Sequence, residues 1–389
     1  MRSVILIHVC AELTTPFLST PHVVESGHPS VLIQAHFIEH STRLPHPLAS
    51  TPVLEVCILK DRHVMPMVNA VIAGDNLALV VSSSWEGDLS VWNWRTGVKK
   101  GEVHVPDPRL GLHFLREDLL LNGNLTNMSL DIYRISEPNS TPWLSHETEG
   151  NEIGANHVRL VHSLGLPRIN EIDYETIEIF CRSQPSFPLP PPREPNLPFI
   201  SNPQSAILLI EVGIQKADWG SEPFRTFFFI VHRRTLLEMA LEAMNSPIQD
   251  SSEIERVPWD SWGPHSTRML ADDSITEDCS AASTRTRCIW LHGPHLEVLN
   301  FGCHQTDVRT MQRDDNEPDA NGVQVHMVDT ESIYPIATGP FTQDVRTNLP
   351  YVSSRRLLDL ERPWDGVLMD DERIVGFTRS ALHILHLQP

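Results

Sequence analysis

Asn76-Leu-Ala-Leu-Val-Val-Ser82, Trp85-Glu-Gly-Asp88 and Leu89-Ser-Val-Trp-Asn-Trp-Arg-Thr-Gly97 read together as one hairpin. The first run is an apolar strand, the second supplies a turn, and the third returns and ends at Thr96-Gly97. Alternation along the return strand places Leu89, Val91 and Asn93 on one face and Ser90, Trp92 and Trp94 on the other. A strand apolar on both faces suits a sheet with neighbours on either side.

The unit recurs with drift. Phe114–Leu121, a turn through Asn122–Asn124 and Leu130–Ile135 read as a second copy. Ser205–Val212 with Thr226–His232 is a third, and Cys288–His292 with Leu296–Phe301 a fourth. Val323–Val328 reads as the start of another. Gly366–Met369, the turn Asp370–Glu372, Arg373–Phe377 and Ala381–Leu387 close the chain, while Val31–Ile38 and Val53–Leu59 supply an earlier sheet. Strand pairs recurring every few tens of residues predict an all-β chain, a β-propeller of about six or seven blades. Residues 1–30 are expected to form an N-terminal segment near a truncated start, and 31–389 the propeller. Two insertions interrupt it. Gln184–Pro203 is proline-rich and expected to be extended. Thr235–Asn245 is expected to be the one short surface helix, with Leu236, Met239, Ala240 and Ala243 along one face.

Composition agrees. The chain of 389 residues carries 31 prolines against 19 glycines, which favours short strands joined by turns. A net charge of −20 repels phosphate backbones and argues against nucleic acid as a partner. The six cysteines form no C-x-x-C pair, and their scatter suits reduced thiols in the cytoplasm or nucleus. Arg2 and the apolar run Ser3–Ala11 have the outline of a signal peptide. His8 interrupts that run and no clear cleavage site follows it, so a β-strand is the preferred reading. Sequons begin at Asn124, Asn127 and Asn139, about as many as chance supplies. No apolar stretch approaches the roughly 20 residues that cross a bilayer, so no membrane partner is expected.

Leu89–Gly97 resembles the end of a WD repeat, with Asn93 in the place of the usual Asp. Longer blocks resemble the β-propeller region of F-box proteins of mushroom-forming fungi: Gly74–Val81, Phe229–Leu237, Val257–Pro264 with Thr267-Arg268, and Trp364–Val375. The resemblance runs from about residue 30 to the end. It implies a non-catalytic protein-interaction scaffold, the substrate-recognition part of a ubiquitin-ligase adaptor. Residues 1–30 depart from that family, with no Leu-Pro-x-Glu start and no helical run long enough for an F-box. Two other functions stay open: a propeller hydrolase with a site in the central channel, and a secreted sugar-binding propeller that stacks sugars on tryptophan.

Several motifs invite chemistry and are declined. His36-Phe-Ile-Glu39-His40 matches H-x-x-E-H, which holds zinc only when both histidines lie one helical turn apart. Here the context alternates like a strand, which separates residues 36 and 40 by about 13 Å. His383 and His386 fall on opposite faces of the last strand. Glu317–Gly322 resembles a calcium loop, but Val328 stands where the twelfth-position Glu belongs. Pro188-Leu-Pro-Pro-Pro-Arg193 fits P-x-x-P-x-R and would suit an SH3-type partner. Trp92 and Trp94 are expected to fill the seam between sheets. No phosphate loop, G-x-S-x-G elbow or Cys–His pair is present, so no residue is assigned to catalysis, a cofactor or a metal.

Overall fold

The computed structural model describes residues 5–14, 30–39, 42–59, 67–82, 86–106, 111–136, 157–183, 206–217, 225–245, 254–271, 280–284, 286–292, 295–302, 323–358, 364–370 and 373–386. Among the described residues the chain is mostly β, with many small antiparallel sheets and two short α-helices. It divides into two compact units, Met1–Thr126 with Asp131–Val161, and Asn127–Leu130 with His162–Pro389.

In the first unit, β1 (Ile5–Thr14), β2 (Ser30–Glu39) and β3 (Val53–Leu59) form an antiparallel sheet in chain order. Ile33, Ala35 and Phe37 are fully buried while Gln34, His36 and Ile38 are half-buried, as the two-residue period of a strand requires. β4 (Met67–Ala73), β5 (Asn76–Ser82), β6 (Glu86–Asn93) and β7 (Val98–Pro106) run up and down, also in chain order. Every residue of β5 is buried. On one of its faces Leu77 and Leu79 join Trp94 and meet Ala35, Phe37 and Leu54.

The turn after β6 depends on Asn93. Its side-chain carbonyl accepts hydrogen bonds from the N–H of Arg95 (3.0 Å) and Thr96 (3.1 Å), and Gly97 closes the turn at φ +74°. Gly74 is favoured by its φ of +54°, whereas a Cβ there, 2.6 Å from the Glu117 carboxylate carbon, would displace only the flexible end of that exposed side chain.

β8 (His113–Arg116), β9 (Leu119–Asn124) and β10 (Ser129–Ile135) follow. Here the structure corrects the expected second copy. Phe114–Leu121 is two strands divided at Glu117-Asp118, and Asn122–Asn124 continue β9 instead of turning. The Arg116 guanidinium grips Asp118 across the tight turn (Nη2 to Oδ2, 2.7 Å). Asn124 is buried and spends its amide on Asp131 (2.7 Å), inside the sheet.

The second unit holds the end of β11 (Val158–Gly165), then β12 (Tyr174–Arg182), β13 (Ile207–Lys216), β14 (Arg225–His232), α1 (Arg233–Asn245), β15 (Arg256–Val257), α2 (Trp259–Ser266) and β16 (Thr267–Ala271). The order β12-β13-β14-β16 makes a four-stranded antiparallel sheet, and Ser163 and Leu164 of β11 pair parallel with β15. α1 matches the expected amphipathic helix, burying Leu236 and Ala240. α2 is an addition to the single helix expected. Gly263 and Pro264 hide it from propensity, and two buried tryptophans anchor it instead.

β17 (Ser280–Thr284), β18 (Arg287–His292), β19 (His295–Asn300), β20 (Val323–Val328), β21 (Ser332–Tyr334), β22 (Val345–Thr347) and β23 (Tyr351–Leu357) come next. Their main sheet has the order β17-β18-β19-β23-β20, with β21-β22 a separate pair. Val323–Val328 therefore starts no new sheet. β23 pairs between it and β19, leaving β20 at the edge with none of its residues buried. β24 (Gly366–Met369), β25 (Arg373–Phe377) and β26 (Leu382–His386) form the final antiparallel sheet. Its inward side chains Val367, Met369 and Ile374 pack with Ile289, Leu291 and Trp364.

Candidate functional site

The most site-like arrangement lies in the second unit, where an aromatic floor carries two bonded loops. Trp262 of α2 is buried and its Nε1 donates to the Gly165 carbonyl (2.9 Å). Trp259 stands edge-on to Trp262 (5.2 Å) and to Phe229 (5.3 Å), so α2 is pinned to β14 by edge-to-face ring contacts. Gly263 fits against Trp259 only because it lacks a Cβ, which would come within 2.3 Å of the indole. Phe227, Tyr334 and Phe341 form a second cluster, with centroids 5.0–5.9 Å apart and near-perpendicular rings.

Two loops are fastened over this floor. Ile169 bridges Phe341, Asn170 N–H donates to the Pro340 carbonyl (2.7 Å), and Thr342 N–H donates to the Arg168 carbonyl (2.9 Å). Asn170 also shapes its own loop, accepting from Ile172 N–H (3.2 Å) and donating to Asp173 (2.6 Å). Across the cluster, Gln343 Nε2 donates to Asp260 Oδ1 (2.7 Å), and Asp344 Oδ1 accepts from Ile336 N–H (2.9 Å). The loops thus hold one shape while presenting Ile172 at 87% exposure, Ile336 at 50% and Ile333 at 47%.

In the same unit, Arg268 is almost fully buried, its Nε donating to the Leu349 carbonyl (2.8 Å) and both terminal nitrogens to that of Thr330 (3.1 Å). Its guanidinium lies 5.3 Å from the Tyr351 ring centroid. Burial lowers the pKa of Arg268 and raises that of Tyr351. This cation braces the backbone at Thr330 and Leu349, whose carbonyls accept from it.

The region exposes Ile172, Ile333 and Ile336 together with the charged Arg168, Glu171, Asp173 and Asp344. Elsewhere, the buried thiols of Cys181 and Cys288 are pushed up to about 12, which keeps them protonated and inert. Glu211 has a raised pKa, chiefly from burial, with Arg182 at 3.0 Å opposing the rise. Among the described residues no group of three metal-ligating side chains converges, and no helix is long and apolar enough to cross a membrane.

The motifs read in sequence fall as follows. His36 and Glu39 lie on β2, as the strand reading expects, and His40 lies outside the described residues. His383 and His386 share β26 at a spacing that divides its faces. Trp94 fills the core, with Nε1 donating to the Gly74 carbonyl (2.8 Å), whereas Trp92 is only half-buried beside Lys99. Glu317–Gly322 and the proline-rich stretch 184–203, including Pro188–Arg193, lie outside the described residues. Sequence reasoning missed Ile172, Ile333 and Ile336. Only one cue was available, a lone isoleucine between the turn formers Asn170 and Asp173.

No family model matches the chain, and no curated protein matches it in sequence. Among solved structures it is similar to the WD40 domain of coronin from Toxoplasma gondii, at 8% identity and a TM-score of 0.32 over 86% of this chain and 67% of that one. The WD40 domain of SCAP from fission yeast is similar at 8% identity and a TM-score of 0.32, covering 90% of this chain and 74% of that one. Hsv2p from Kluyveromyces lactis matches at 11% identity and a TM-score of 0.26, over 70% and 76%. At these scores the likeness assigns no residue to a site.

Proposed function

We propose that this chain is a β-propeller interaction scaffold that binds another protein through the loop surface carrying Ile172, Ile333 and Ile336. One observation carries the reading: Ile172 is 87% exposed on a loop held to its neighbour by backbone hydrogen bonds. An ordered loop already holds its binding shape, so an aliphatic side chain on it docks at little conformational cost. The repeated four-stranded, up-and-down sheets support the propeller architecture. The resemblance to fungal F-box proteins extends the proposal to the target-selecting part of a ubiquitin-ligase adaptor working in the cytoplasm or nucleus.

The test is affinity capture with the full chain against an Ile172→Asp/Ile336→Asp double variant. The expected outcome is a stoichiometric partner retained by the first and lost by the second, with unchanged thermal stability. Identical capture by both overturns the surface assignment. For the adaptor role, an in-frame F-box encoded immediately upstream of Met1 is expected; an upstream sequence without one removes it.

A further inference from the structure

β10 and β11 are neighbouring strands of one sheet. They run antiparallel: Ser136 N–H donates to the His157 carbonyl (2.8 Å) at one end, and Leu166 N–H to the Met128 carbonyl (2.8 Å) at the other. The first of these bonds joins directly opposed residues. Two positions further in, Arg134 of β10 therefore falls opposite Arg159 of β11. Opposed residues share a face of the sheet, with Cβ atoms about 4.5–5.5 Å apart, and residues two apart on a strand share it too. His157, Arg159 and Arg134 thus stand together on one face, at one end of the strand pair. The backbone of His157 is also tied on its other side, where its N–H donates to the Lys100 carbonyl (3.1 Å).

Like charges set directly opposite each other across two strands oppose folding. Burial, with the Arg134 charge adding to it, lowers the pKa of Arg159. Beside this pair His157 is only 5% exposed, and its Nδ1 is buried with no hydrogen-bond partner among the described residues. The same holds for Nε of Arg134. Native interiors seldom leave such atoms unpaired. We propose that Arg134, Arg159 and His157 form a binding site for a small tetrahedral oxyanion of the phosphate class. A guanidinium presents a planar fork of donors that matches phosphate oxygens, and two of them supply the opposing charge as well. The buried imidazole adds a further donor. Both arginines are half-buried, so the anion enters from solvent. A net charge of −20 repels anions in general, so retention here rests on this local group. The site lies in the first unit and does not depend on the protein-binding surface proposed for the second.

The experiment is isothermal titration calorimetry of the full chain at about 0.15 M chloride, with inorganic phosphate, glycerol phosphate and acetate as probes. About one equivalent of phosphate is expected to bind saturably, and acetate much more weakly. Glycerol phosphate bound as tightly as phosphate identifies a phosphate ester as the source of the group; binding of inorganic phosphate alone identifies the free ion. Arg134→Gln is expected to weaken binding about 10–100-fold, the loss of a hydrogen bond to a charged group. Arg134→Lys is expected to weaken it less, because the charge stays and only the fork is lost. Phosphate is expected to raise the thermal midpoint of the wild type but not that of Arg134→Gln. Arg234→Gln, at an exposed position on α1, is expected to bind as the wild type does. Circular dichroism checks the folding of each variant, and if Arg134→Gln does not fold, Arg159→Lys takes its place. No saturable phosphate binding, acetate bound as tightly as phosphate, or an affinity unchanged in the arginine variants of the pair each overturns the proposal.

Discussion

β9 and β26 are written in much the same apolar alphabet, yet every residue of β9 is buried and β26 alternates between exposed and half-buried. β25 and β24 extend the bare surface beside β26. Register aligns Leu368, Val375 and Ile384 across the three strands, and Leu368, Leu382 and Ile384 are 56–73% exposed. The opposite face of the same sheet is well packed, with Ile374 2% exposed. Hydrophobicity chooses the strand, but burial is decided by whether another sheet covers that face.

Three substitutions test the contrast by chemical denaturation. Leu120→Ala, in β9 and fully buried, is expected to cost about 2–5 kcal/mol, through lost transfer energy and the cavity left behind. Ile374→Val, on the covered face of the final sheet, is expected to cost about 0.5–1.5 kcal/mol. Ile384→Ser, on the bare face, is expected to fall within about 0.5 kcal/mol of wild type. A large loss at Ile384 would mean that this face is covered in solution. A negligible loss at Leu120 would remove the two-faced burial of β9.

Acidification offers a smaller, separate test within the second unit. Burial lowers the pKa of His162, with Glu242 opposing, so the folded state holds the ring neutral more firmly than the unfolded chain does. The unfolded chain then takes up the extra proton. That stability is full above the ordinary histidine pKa of about 6.5 and declines as pH falls below it. His162→Gln is expected to flatten that part of a stability–pH curve; an unchanged slope would show that His162 is not the titrating group.

How much was legible follows from the range of each interaction. The two strands of Asn76–Gly97 and the turn that Asn93 closes on Arg95 and Thr96 were readable because they are local, whereas Glu86–Asp88, read as turn, already belong to β6. α1 was readable because its apolar stripe has helical spacing. The division of β8 from β9 was missed because Glu117-Asp118 sits between apolar runs too short to declare separate strands. β20 was misplaced because a strand's partner need not be its neighbour in sequence, and β23 arrives only after a further hairpin. The joined loops of the second unit were hidden for the same reason, since residues 168–173 and 333–344 meet only through tertiary contacts.

Asn93 has one more consequence. Were position 93 an aspartate, the acceptor would be an anion, which loses its charge in acid and is weakened by salt. Here the acceptor is a neutral amide, held by the same two backbone N–H groups. The turn that ends the best-formed hairpin therefore has no titration of its own. In a chain with a net charge of −20, it also spares the fold another mutually repelling carboxylate.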